Sequence, residues 1–73
     1  MDKTIEGLKL FENVNDINVM NLPLPDQVRI TPLLIHLERI GFVKNHYSNE
    51  DIRPIETGLT YPGIQARNKQ FSV

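Results

Sequence analysis

Seventy-three residues, 40% hydrophobic and 23% charged, read as one small ordered domain whose fold buries only about 60% of the unfolded surface. The absence of cysteine excludes a disulfide framework and a thiolate metal site, and no apolar run nears the roughly 18 residues of a membrane span. Net charge is −1, but five acids face two lysines in residues 1–26 and six bases face four acids in 27–73, so an anionic partner is expected to meet the second part.

Residues 3–14 place Ile5, Leu8, Phe11 and Val14 three apart, which predicts a first amphipathic helix despite Gly7. Asn15 and Asp16 then offer a cap, and residues 16–22 are expected to form a short second helix carrying Ile17, Met20 and Leu22. Pro23 and Pro25 make a turn. The clearest periodicity follows in residues 26–41, where Ile30, Leu33, Leu34, Leu37 and Ile40 recur at helical spacing behind an Asp26 cap. Pro32 lies inside this pattern and either kinks the first turn or moves the helix start to Thr31, while Gly41 supplies the stop.

Beyond Gly41 the period changes to two. Residues 42–59 read as a hairpin: Phe42, Val43 and Tyr47 alternate with Lys44 and His46, Ser48 to Asp51 form the turn, and Ile52 to Thr57 return. Pro54 is expected to confine the returning strand to an edge. The tail, 64–73, has Phe71 as its one large apolar anchor and gives a last helical turn or trails off. The expected fold class is therefore α+β, a small winged helix-turn-helix with three helices followed by a two-stranded β-hairpin wing.

The run LLIHLERIGFVKNHYSNEDIRPIETGLTYPG, residues 33–63, resembles the recognition helix and wing of MarR-type winged-helix regulators. Leu37-Glu38, Gly41-Phe42-Val43, Asp51-x-Arg53 and Leu59-Thr60-x-x-Gly63 fall at matching spacings without a gap. The resemblance implies a minimal DNA-binding domain lacking the family's additional dimerisation helices. It further implies that Arg53 enters the minor groove and Asp51 holds it in place. Two residues apart on a strand, the carboxylate and guanidinium share a face, and a held arginine suits a narrow, electronegative groove.

In that reading Gln27, Arg29 and Thr31 at the start of the long helix reach base edges, Arg29 by pairing with guanine. Arg39 and Lys44 meet phosphates, with Arg67 and Lys69 in the tail as further contacts. The plain alternative for each is a solvated surface charge. His36 and His46 lack a third ligand at metal-site spacing, Ser48 and Ser72 lack a nucleophile setting, and Glu50, Asp51 and Glu56 read as turn and strand-surface acids. The expectation is a cytoplasmic non-enzyme without cofactor or metal. It binds double-stranded DNA as a transcriptional regulator, paired as a homodimer on half-sites. Pro32, Ile35 and the acidic first part motivate a protein-interaction module, an inhibitor or adaptor, as the alternative. An excisionase-like DNA-bending factor is the third.

Overall fold

The computed structural model describes residues 2–71. Helix α1 covers Lys3–Lys9 and starts at Asp2, whose carboxylate accepts from the Thr4 N–H at 2.8 Å. It ends earlier than the periodicity predicts. Leu10, Phe11 and Glu12 donate backwards over three residues in a tight turn, which still buries Phe11 but leaves Val14 exposed.

The expected second helix does not form. Asp16–Asn18 form strand β1, and only Val19–Asn21 wind, as a single 3-10 turn. Asn15, Asp16, Asn18 and Asn21 compete with a helical backbone through their short polar side chains. Ile17 between two exposed neighbours gives the period-two burial of a strand.

Helix α2 then runs over Leu24–Arg39, with Pro25 in its first turn and Pro32 inside it. It does not restart at Thr31. Pro32 removes one N–H, and so the bond to the Val28 carbonyl, on the exposed side of the helix where water can replace it. Gly41, at φ +88, takes the left-handed conformation that turns the chain away from α2. Strands β2 (Val43–Tyr47) and β3 (Pro54–Leu59) follow, and helix α3 (Tyr61–Phe71) closes the chain.

The sheet has three antiparallel strands in the order β1-β3-β2. The registers are Ile17 opposite Thr57, and Val43 opposite Leu59 with Asn45 opposite Thr57. The expected layout of three helices followed by a two-stranded hairpin is therefore corrected to α, β, α, β, β, α with a three-stranded sheet. The returning strand is central, not an edge. Pro54 is tolerated as its first residue, outside the regular part of the ladder. The predicted tail is an 11-residue helix, with Ser72 and Val73 outside the described residues.

One core joins the layers: Leu8 and Phe11 from the first segment, Val19, then Ile30, Leu34 and Leu37 from α2, and Val43 from β2. Gly63 lets α3 sit directly on the turn after α2, since a Cβ there would lie 1.9 Å from the Phe42 carbonyl oxygen. No helix among the described residues is long and apolar enough to cross a membrane.

Candidate functional site

Helix α2 buries one side and leaves an unusual other side. Gln27, Ile30, Thr31, Leu33, Leu34 and Leu37 face inward. Leu24, Val28, Pro32, Ile35 and Arg39, spaced four, four, three and four apart, form a stripe along the opposite side. Leu24 is 58% exposed and Val28 57%, so two branched aliphatic side chains stand largely in solvent.

The β2–β3 loop folds back beside this stripe. Ile52 at its crest is 78% exposed, the highest value of any large hydrophobic residue described. Val28, Thr31, Pro32 and Ile35 on one wall, with Asp51, Ile52 and Arg53 on the other, enclose an open groove of about 440 Å³. Its walls are almost wholly apolar.

Asp51 organises the loop. Its Oδ1 accepts the Arg53 backbone N–H at 3.0 Å, and its Oδ2 accepts Arg53 Nε at 2.7 Å and Nη2 as well. The two residues meet across a turn, not along a strand as the sequence suggests. Hydrogen bonds from the Arg53 side chain, then from its backbone, hold the Asp51 carboxyl below the usual carboxylate range; the same side-chain bond raises Arg53. Both side chains are about two-thirds covered. The guanidinium reaches the groove with its charge largely answered.

The seven residues expected to read DNA do not form one surface. Asp51 and Arg53 stand together, with Arg29 and Arg39 exposed on α2. Arg29 makes a long 3.5 Å contact with Asp26. Gln27 and Thr31 are buried, at 7% each, and this corrects their assignment to base edges. Gln27 Nε2 donates to the Leu22 carbonyl at 2.8 Å, tying the helix to the residue before its start, and Thr31 Oγ1 donates to the Gln27 carbonyl at 2.7 Å. Lys44 projects from the sheet face that α2 does not cover, beside Asp16, His46 and Glu56. Arg67 is also buried. Its Nη1 donates to the carbonyls of Phe11 and Val14 and to Asn15 Oδ1, so it joins α3 to the segment before β1 and is not a phosphate contact.

Several polar contacts were not foreseen from sequence. Glu38 receives the Tyr47 hydroxyl at 2.9 Å and the Asn45 N–H at 3.1 Å, covering the outer edge of β2. Desolvation, with the nearby Glu38 carboxylate adding to it, raises the Tyr47 hydroxyl above its ordinary value. His36 Nε2 lies 2.8 Å from Thr4 Oγ1 and fastens α2 to α1. Among the described residues no three acidic or histidine side chains come together as a metal site. The exposed stripe was legible in one respect: α2 has more aliphatic residues than one buried face can use. Ile35, half-buried, lines the groove beside this stripe; Ile52 had no signal, because loop residues carry no periodicity.

No family model, curated protein or solved structure matches the chain.

Proposed function

We propose that this protein is a non-catalytic protein-docking module that binds through the outward stripe of α2 and the crest of the β2–β3 loop. The observation that carries this reading is the groove in which Val28, Pro32, Ile35 and Ile52 converge beside an arginine already paired with its own aspartate. Protein interfaces concentrate apolar side chains at their centre and place charges at the rim. Base readout needs unsatisfied donors and acceptors along the helix, and here the stripe is aliphatic from Leu24 to Ile35, with Arg39 at its C-terminal end and Arg29 on another side of the helix. Affinity capture with the wild type, Val28→Lys and Ile52→Lys tests the reading. Protein retained by the wild type and lost from both variants, at unchanged melting temperature, is expected. Equal retention by all three overturns it.

Double-stranded DNA is the second reading, supported by one geometry: Asp51 orients Arg53 beside a helix that exposes Arg29 and Arg39. It predicts a duplex affinity that falls steeply with salt and weakens in Arg53→Gln. Absence of binding at low salt removes it.

A further inference from the structure

We infer that the occupant of this face is a second copy of the chain, packed antiparallel along α2 about a twofold axis at Pro32, an inference that rests on the docking reading above. A twofold contact sets residue i against j and j against i, so the surface must complement itself. The α2 stripe does. Val28 stands four residues before Pro32 and Ile35 three after; Leu24 stands eight before and Arg39 seven after. Antiparallel pairing therefore sets Val28 against the second copy's Ile35 twice and Pro32 against itself. At each end it lays the aliphatic stem of Arg39 over Leu24.

Charge favours the same occupant. Arg39 is the only formal charge on the stripe, and the pairing sends the two copies of it to opposite ends. At 1.5 Å rise per residue they stand about 20 Å apart, beyond the roughly 8–10 Å over which salt leaves charges in contact. The helix dipoles run head to tail. In an antiparallel twofold pair, equivalent flanks lie on the same side, so the two β2–β3 loops also meet, crest to crest at Ile52. Each brings one acid and one base, Asp51 and Arg53. The four charges can exchange partners without stranding any.

Size fits as well. A small but specific interface removes about 600 Å² from each partner, roughly an eighth of the 4794 Å² this chain exposes. Helix α2, with 16 residues, offers a contact about 24 Å long. The chain gains from it, because the eight buried hydrophobic side chains among the described residues are a small core and association is one of the few ways to enlarge it without disulfides.

Sedimentation equilibrium of the full chain, from micromolar to near-millimolar concentration, is the first test. Twice the chain mass at high concentration is expected, with at least about tenfold weaker self-association in Val28→Lys and in Ile52→Lys. The cysteine-free sequence permits a geometric test alongside it. Under mild oxidation Pro32→Cys alone cross-links, the double variant Val28→Cys/Ile35→Cys cross-links, and Val28→Cys alone does not. The mass of one chain at every concentration, or cross-linking of Val28→Cys alone that equals the double variant, overturns the proposal. Fluorescence of an apolar dye then separates the two readings. A monomer that binds dye and loses it in Val28→Lys overturns the second copy and keeps the docking face; a monomer that binds none overturns both.

Discussion

Asp51 illustrates how one carboxylate can shape a surface from within a loop. It accepts both the backbone and the side chain of Arg53, so the turn and the arginine's direction are set together. The Asp-x-Arg spacing was legible in the sequence as an ion pair. Its turn geometry was not, because a two-residue separation fits a strand and an Asx-type turn equally well. The pH dependence follows from the direction of the shift. The folded Asp51 carboxyl is held below its unfolded value by the bonds from Arg53, so the folded state binds that proton less readily. The pair's contribution to stability is therefore fully present above about pH 4, the unfolded aspartate range, and is lost as pH falls through the lower folded value. Comparing urea midpoints of the wild type and Arg53→Gln across acidic pH checks this. The gap between them is expected to hold down to about pH 4 and to narrow below it. A gap that stays constant into strong acid is incompatible with the assigned pair.

At the scale of elements, long periodic stretches were readable and short polar ones were not. Ile30, Leu34 and Leu37 declare α2 because three side chains at helical spacing can reach one core only together. Residues 16–22 failed as a helix because β1 is fixed by its pairing with a strand about forty residues later, a non-local contact that no local window contains. The Leu-Thr-x-x-Gly segment has a packing role in this structure. Thr60 Oγ1 accepts the Gly63 N–H at 3.2 Å as the cap of α3 and donates to the Gly41 carbonyl at 2.6 Å. Gly63 then lies against Phe42, where an added Cβ has no space. Losing the cap in Thr60→Ala is expected to cost about 1 kcal/mol. Gly63→Ala is expected to cost more, about 2–3 kcal/mol, because backbone must move to admit the methyl. Denaturant unfolding of the two variants measures both; a Gly63→Ala as stable as the wild type removes the close approach of α3 to the α2–β2 turn.

For the molecule as a whole, the candidate face was legible only in fragments, since it joins the exposed side of α2 to a loop brought there by the sheet. Sequence placed Arg53 and Asp51 beside one another, whereas Ile35, expected to be exposed, is half-buried in the groove wall. It also offered Gln27, Thr31 and Arg67 as surface groups, and burial removed all three. Arg67 shows why a charge is a poor guide to exposure in so small a chain. The segment from Phe11 to Asn15 leaves carbonyls without helix or sheet partners, and a guanidinium is the side chain with enough donors to gather several at once. It thereby joins α3 to the connection between α1 and β1. A hydrogen bond from a charged donor contributes about 1.5–3 kcal/mol, and bonds that share one donor group do not add independently. Arg67→Met keeps most of the aliphatic packing and removes the donors, so its expected cost is about 2–4 kcal/mol. The loss should be local before it is global: amide exchange is expected to quicken first in residues 11–15 and in α3, while α2 and β3 keep their protection. Uniformly faster exchange across all elements would instead make Arg67 an ordinary member of a single cooperative core. Exchange unchanged everywhere would mean that α3 is held by Gly63, Leu59 and Phe71 alone.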